Sequence, residues 1–171
     1  MSHTIEKLPV KLAVSGSAVI RHKYDMTAPQ VRSKGEAYLP TYGSEYANGF
    51  DLRTPVAFHV SKDLHVCLDL GWATALPDGY GMLVLPRSGL GNRGMVVTNT
   101  VGLIDQDYRG NIIVNITLRP DATEPMMSFD AGDRIAQAVI VPMARVKEFG
   151  IVGELPPSTR GDGGFGSSGV V

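Results

Sequence analysis

The residues of this chain that could take part in chemistry lie in short polar clusters between apolar stretches. Asp105 ends a short apolar run, where a carboxylate can accept a proton from an attacking water molecule or can simply cap a turn. Arg87, Ser88 and Gly89 offer a cation, a hydroxyl and a backbone amide, which suit an anion but also suit a surface salt bridge and a turn cap. Both clusters are therefore candidates for an active site.

Two further features point to a bound ligand. Gln137 lies in an otherwise apolar stretch, where an unpaired amide would be costly, so we expect it to have a partner. From Pro156 onward the chain reads PPSTRGDGGFGSSGVV, a glycine-rich segment that predicts a mobile tail. Within it, Phe165 follows Arg160, a composition that could stack on a flat ligand and hold an anion.

Composition limits the possible partners. Lys+Arg 16 against Asp+Glu 17 gives a formal net charge of -1, which predicts neither a nucleic acid nor a membrane surface as partner. The single cysteine and four histidines show no spacing typical of a metal site. The first residues lack the pattern of a signal peptide, and no apolar run is long enough to cross a bilayer. We therefore expect a cytoplasmic protein.

The elements that must position these residues are short strands. Glycine (20) and proline (11) break the 171-residue chain often, and the intervals between them alternate apolar and polar residues with period two, most clearly at 64–70 and 112–118. Further strands are predicted at 10–14, 56–60, 82–85, 95–97 and 135–141. The pattern predicts one all-β domain over 1–155, a jelly roll or barrel. Residues 16–36 are interpreted as a loop or insertion, with a short helix considered at 18–24.

Five polar clusters occur in a specific order along the chain. They read NGFDL (48–52), PRSGLG (86–91), VGLIDQDYRG (101–110), GDRIAQ (132–137) and RGDGGFGS (160–167). In residue types, order and spacing they resemble the five motifs of the homotrimeric dUTPase family, from about residue 39 to the C-terminus. The resemblance implies a jelly-roll-like β-clip fold and a homotrimer. It also implies that residues 156–171 form a flap over an active site of a neighbouring subunit.

The resemblance further implies a reaction. dUTP would be hydrolysed to dUMP and pyrophosphate by water attack on the α-phosphorus, assisted by Mg²⁺. This reaction limits uracil incorporation into DNA and supplies dUMP. Asp105 would activate the water, Tyr108 would exclude a ribose 2′-hydroxyl, and Asn99 would read the uracil edge.

The remaining site residues follow by the same resemblance. Asp51 would orient a phosphate-binding arginine and the hydrated Mg²⁺ without ligating the ion, and Phe165 would stack on the base. The backbone around Leu103, Ile104 and Ile113 would complete the base pocket. The phosphates would be held by Arg87, Ser88, Gly89, Arg160, Gly166 and Ser167. Gln137 would offer its amide to the phosphates or to the water.

Two alternatives remain at this point. The same architecture serves dCTP deaminases and bifunctional enzymes that are both deaminase and dUTPase, although an intact last motif and the lack of an obvious catalytic glutamate beside the base pocket disfavour that interpretation. A nucleotide-sensing regulatory protein that uses 16–36 as a contact surface is the second. Since every catalytic position is filled, regulation would be added to catalysis rather than replace it.

Overall fold

The computed structural model describes residues 38–164 in full and, before them, the backbone of three strands. These three are β1 (Lys11–Val14), β2 (Ala18–His22) and β3 (Val31–Ser33). The rest of the chain, including Phe165, Gly166 and Ser167, lies outside the described residues.

Strands dominate the described part of the chain, and its one helix is short. The first group is β4 (Thr41–Tyr42), β5 (Phe50–Arg53), β6 (Phe58–Ser61), β7 (Val66–Ala75) and β8 (Tyr80–Leu85). After α1 (Ser88–Asn92) come β9 (Met95–Val97), β10 (Gly102–Ile104), β11 (Asn111–Leu118), β12 (Met126–Phe129) and β13 (Arg134–Pro142). The all-β prediction is confirmed.

The strands form two main sheets and a small one, all with antiparallel pairing. One sheet has the order β3-β2-β7-β11-β9, with β1 also paired to β7. The second has the order β10-β8-β13-β5-β4, and β12 pairs with β6. The second sheet carries most of the candidate site.

The hydrophobic core lies along strands whose alternation is visible in the sequence. On β11, Ile112, Val114 and Ile116 are fully buried while the residues between them are only partly buried, so the predicted period of two is confirmed. Trp72 on β7 is the largest fully buried side chain. Burial of Ile112, Val114 and Ile116 fixes the register of β11, because a slip of one residue would turn these apolar side chains outward.

The helix considered at 18–24 is wrong, because residues 18–22 form strand β2. β2 pairs with the first half of β7 and β1 with the second half, so one edge of that ten-residue strand is covered along most of its length. Val19 and Ile20 are β-branched residues, which favour strands. The sequence shows no alternation here, but the unpaired edge of β7 supplies hydrogen-bonding partners that a helix would not use.

The turn after α1 is held by a two-point ion pair. Arg93 Nε and Nη2 donate to Glu124 Oε1 and Oε2 over 2.8 and 2.9 Å. The hydrogen bond to Arg93 lowers the pKa of Glu124, and the same bond raises the pKa of Arg93. Gly94, with φ 98°, lies so close to Ala122 that a Cβ would come within 2.8 Å of the Ala122 Cα, so both the backbone conformation and the space require glycine.

Beyond β13 the described chain forms no further strand or helix. Residues 143–155, here called the C-terminal arm, expose several large apolar side chains: Val146, Phe149, Ile151, Val152 and Leu155. Phe149 is 90% exposed and Ile151 is fully exposed. An exposed apolar run of this length is typical of a segment that packs on another chain.

Candidate active site

A buried carboxylate organises the first cluster. Asp51 lies on β5 with a side chain only 12% exposed. Arg87 Nε lies 3.0 Å from Asp51 Oδ1, and Arg134 Nη1 lies 3.3 Å from Oδ2. Arg87 also donates to the backbone carbonyl of Arg134 over 3.3 Å. Two arginines around one carboxylate leave a net positive charge, which suits an anionic ligand at the exposed side of the pair.

Strand register explains why these residues meet. Gln137 on β13 pairs with Asp51 on one side and with Leu85 on the other, so the three lie in one line across the sheet. Arg87 follows β8 two residues later. Gln137 Nε2 donates to the Pro86 carbonyl over 2.9 Å, so the partner predicted for this amide is present. The Gln137 side chain thereby fixes the turn that aims Arg87 at Asp51.

Ser88 and Gly89 lie beside Arg87 at the start of α1, and both are exposed. Apart from its two neighbours and the backbone of α1, a Cβ placed on Gly89 would meet no atom of the described residues within 4 Å. The described part of the chain therefore leaves free space next to Arg87, beside Ser88 and the local backbone amides.

The second cluster lies around β10. This strand pairs with β8 on one edge only, whereas β11 pairs with β7 and β9, so no pairing joins β10 to β11 in the described chain. Leu103 and Ile104 lie on β10 and Ile113 lies near the start of β11. The two strands therefore diverge, and backbone groups on the open edge of β10 are available to a ligand.

A strained turn carries Asn99 to the start of this open edge. Thr100 has φ 60°, in the left-handed region, which is uncommon for a β-branched residue. Its hydroxyl donates to the Asn99 carbonyl over 2.7 Å, and the Val101 amide donates to the same oxygen over 2.6 Å. The Asn99 side chain is exposed, and its Nδ2 lies 3.4 Å from the position of a Cβ on Gly102.

The loop after β10 presents Asp105 and Tyr108. Asp105 is exposed, and its carboxylate has no hydrogen bond or ion pair with any residue in 38–164. Tyr108 Oη donates to the Asn111 carbonyl over 2.9 Å, which lays the ring across Gly110. A Cβ on Gly110 would lie 2.6 Å from Tyr108 Cζ, so only glycine at position 110 permits this ring placement. A cavity of about 400 Å³ opens beside Asp105, bordered by the start of β8 and by residues 143–145.

Asp105 and the Asp51 cluster lie toward opposite ends of β8, whereas the start of β10 lies near the Arg87 end, because Gly102 pairs with Val84. Ile104 pairs with Met82, so Asp105 lies about level with Gly81, whereas Arg87 lies six residues further along. At about 3.3 Å per residue, the backbones of Asp105 and Arg87 are roughly 20 Å apart. One chain does not bring Asp105 to the Asp51 cluster.

The tail residue Arg160 is exposed and bonded within its own turn. Its Nε donates to the Gly163 carbonyl over 2.8 Å, and the Gly161 amide donates to Ser158 Oγ over 3.0 Å. The predicted roles of Phe165, Gly166 and Ser167 lie outside the described residues. Within the described ranges no group of three or more His, Cys, Asp or Glu side chains could hold a metal ion, and no helix is long and apolar enough to cross a membrane.

Sequence reasoning missed two contributors, Arg134 and Gln106. Arg134 reaches Asp51, and Gln106 bonds to the turn between β7 and β8. Both stand inside the clusters that the sequence singled out. Their roles depend on strand register and loop approach, which a single sequence does not display.

Comparison with known proteins identifies a matching family and similar enzymes. A family model described as dUTPase matches residues 35–169. A deoxyuridine 5′-triphosphate nucleotidohydrolase of Escherichia phage T5 is 39% identical over 138 residues, covering 77% of this chain and 91% of that protein. The enzyme of the same name from Burkholderia cenocepacia (strain HI2424) is 42% identical over 137 residues, covering 77% of this chain and 89% of that protein.

Solved structures agree with this match. The Staphylococcus bacteriophage 80alpha dUTPase with dUPNHPP superposes with a TM-score of 0.74 at 25% identity, covering 95% of this chain and 99% of that chain. The dUTPase from Streptococcus mutans gives 0.57 at 26% identity, covering 64% of this chain and 89% of that one.

Proposed function

The chain belongs to the dUTPase family, and we propose that it hydrolyses dUTP to dUMP and pyrophosphate in active sites shared between the subunits of a homotrimer. The observation that carries this proposal is the pair of complementary clusters on one chain. One cluster has the cations and open space that a triphosphate needs, and the other has an exposed carboxylate next to an open strand edge. The family match supplies the substrate that joins them.

Asp105 is the base in this reaction. Its carboxylate accepts a proton from the water that attacks the α-phosphorus, the new oxygen stays on dUMP, and the bond to pyrophosphate breaks. The exposed carboxylate and the lack of a competing partner in residues 38–164 support this role. Catalysis then depends mainly on holding water, carboxylate and phosphorus in line and on neutralising the charge of the leaving group.

The Asp51 cluster holds the phosphates. A triphosphate carries about four negative charges, and Arg87 meets them in a geometry that Asp51 fixes. Ser88, Gly89 and Gln137 border the same space, and Arg160 with Phe165, Gly166 and Ser167 would close over it from the tail.

Both Asp51 oxygens face arginines, so this carboxylate suits the orientation of cations better than direct metal ligation. Mg²⁺ binds preferentially through phosphates while keeping its waters, and it would supply further charge neutralisation on the substrate. The Asp51 carboxylate would then help to hold the phosphate-binding side chains around the hydrated ion.

Two features of the chain support sharing of the site between copies. The separation of roughly 20 Å along β8 prevents one chain from completing a site. The exposed apolar residues of the C-terminal arm need a surface, and a second copy of this chain provides one. The neighbouring tail would then reach the site as a flap. With nucleotides as substrate, the cytoplasm is the proposed location, and no nucleic acid or membrane partner is required.

The direct test is pyrophosphate release with Mg²⁺ from dUTP, dCTP, dTTP and UTP in parallel. We expect fast release from dUTP alone, because the open edge of β10 and Asn99 read the base while Tyr108 reads the sugar. Ammonia or dUMP formed from dCTP would assign the chain to the deaminase branch of the fold. If none of the four nucleotides is hydrolysed, the proposed enzymatic function is contradicted. Nucleotide sensing would then remain as the alternative function.

Sugar selection depends on the contact between Tyr108 and Gly110. Gly110→Ala would push the ring off the loop, because the new methyl group would overlap Tyr108. We expect the ratio of kcat/KM for dUTP over UTP to fall by about tenfold or more, since the ring no longer fills the space of a 2′-hydroxyl. The kinetics of both nucleotides with the folded variant measure this ratio. An unchanged ratio would remove Tyr108 from sugar selection.

A further inference from the structure

The side chain of Gln106 joins the loop that carries Asp105 to the turn between β7 and β8. Its Oε1 accepts a hydrogen bond from the Gly79 amide over 2.9 Å, and its Nε2 donates to Asp78 Oδ1 over 2.6 Å. A backbone amide can only donate, so the atom facing Gly79 must be the oxygen and the atom facing Asp78 the nitrogen. Both ends of one amide are therefore matched to one turn.

That turn is itself fixed to the sheet. The Tyr80 amide donates to the Pro77 carbonyl over 3.2 Å, and the Met143 amide donates to the Gly79 carbonyl over 2.8 Å. Gly79 has φ 80°, a conformation that glycine adopts without strain. Because β13 continues directly into Met143, the turn moves with the sheet and can serve as an anchor.

The other contacts of the Asp105 loop stay within residues 105–111, between β10 and the start of β11. The Tyr108 amide donates to the Asp105 carbonyl, and Arg109 Nη1 donates to the carbonyls of Gln106 and Tyr108 over 2.8 and 3.0 Å. Tyr108 Oη reaches only Asn111 at the start of β11. Among residues 105–110, Gln106 is therefore the side chain that hydrogen-bonds outside residues 105–111 in the described part of the chain.

We propose that Gln106 is a positioning residue for hydrolysis: its two hydrogen bonds to the Asp78–Gly79 turn hold the adjacent Asp105 in place for the attacking water. This inference rests on the proposed function of Asp105 and adds the group that fixes its loop. Positioning matters because a displacement of about 1 Å at a reacting group can lower a rate by up to about 100-fold. The base contacts on β10 and Asn99 do not involve Gln106, so its loss should affect turnover more than substrate binding.

Gln106 donates and Asp78 accepts in the hydrogen bond between them, so the amide and the carboxylate can be exchanged between the two positions as a test. Gln106→Glu keeps an acceptor for the Gly79 amide but places two carboxylates against each other. We expect kcat for dUTP to fall about tenfold, with KM changed less than about twofold. Asp78→Asn is the matched control, since its amide oxygen still accepts from Gln106, and we expect nearly unchanged kinetics.

The double variant Gln106→Glu/Asp78→Asn reverses donor and acceptor. The introduced amide donates to the introduced carboxylate, which still accepts from the Gly79 amide, so kcat should return to within about twofold of the original chain. Normal kcat for the Gln106→Glu variant would overturn the proposal. A double variant as slow as Gln106→Glu, with an equal Tm, would also overturn it.

Amide hydrogen exchange tests the same clamp without activity. Exchange of a peptide spanning residues 103–109 should be faster in Gln106→Glu and return to the original rate in the double variant. Equal exchange in all three proteins would overturn the clamp. If exchange is faster in Gln106→Glu and recovers in the double variant, but the original chain releases no pyrophosphate from dUTP, the proposed role of Asp105 is overturned and the clamp is not. Failure of the proposed function is therefore distinguishable from failure of this inference.

Discussion

Asp105→Asn should lower kcat for dUTP hydrolysis by about 10³-fold while the chain still folds and still binds the nucleotide. The variant keeps the size and the hydrogen-bonding oxygen of the side chain but loses the group that accepts a proton, and general base catalysis typically contributes about 10² to 10⁴. Steady-state pyrophosphate release measures the loss. Because Asp105 is exposed and forms no side-chain bond in residues 38–164, the substitution leaves no buried group unpaired.

The control for this variant is binding of a dUTP analogue with an uncleavable α,β bridge. We expect a Kd within about threefold of the original chain, because the proposed phosphate contacts lie in the Asp51 cluster and the proposed base contacts lie on β10 and Asn99. A variant that retains more than about a tenth of the original kcat would show that another group activates the water.

Mixed oligomers of two inactive variants should recover activity. Asp105→Asn retains the phosphate cluster, and Arg87→Ala retains the base. If every site takes Arg87 from one subunit and Asp105 from the next, then any mixed trimer contains one intact site, whichever variant is in excess. Heterotrimers isolated through two different affinity tags should therefore show about one third of the original activity, whereas each variant alone is nearly inactive.

The alternative gives a clear opposite result. If one chain supplied both residues to its own site, no mixed trimer would contain an intact site and activity would stay at the level of the two parents. Tm and elution volume of each variant provide the control, since Arg87→Ala leaves Asp51 paired with Arg134 alone. This measurement tests the separation of the clusters along β8 directly.

The parts of the fold that the sequence predicted are those with strong local patterns. β11 follows from the period of two over 112–118, and its buried residues are the expected ones. β2 and β3 could not be predicted in this way, because β2 forms on the edge of β7, β3 forms on the edge of β2, and their own residues show no clear period. α1 has only five residues, too few for a helical repeat to be visible.

For the candidate site, too, local sequence features were predictable and long-range contacts were not. Residue types predicted the chemistry of Asp105 and Arg87, and the family resemblance supplied the substrate. The contacts that fix these groups were not predictable: Arg134 meets Asp51 through the pairing of β13 with β5, and Gln106 meets Asp78 across 28 residues of sequence. Such contacts arise from register and from the approach of distant loops, which leave no periodic signal in one sequence.

β8 is a rigid link between Asp105 and Arg87 of one chain, which in the proposed trimer belong to two different active sites. It is paired on both edges, with β10 and β13, so its length is set by the rise of an extended chain and cannot adapt to substrate. A rotation of one subunit against the next by about 3° would move a group at the end of a lever of roughly 20 Å by about 1 Å. A shift of that size is enough to slow a reaction severely. If the C-terminal arm lies at the contact between subunits, as proposed above, substitutions there should change the rate of hydrolysis without touching the nucleotide, through the angle at which the subunits dock.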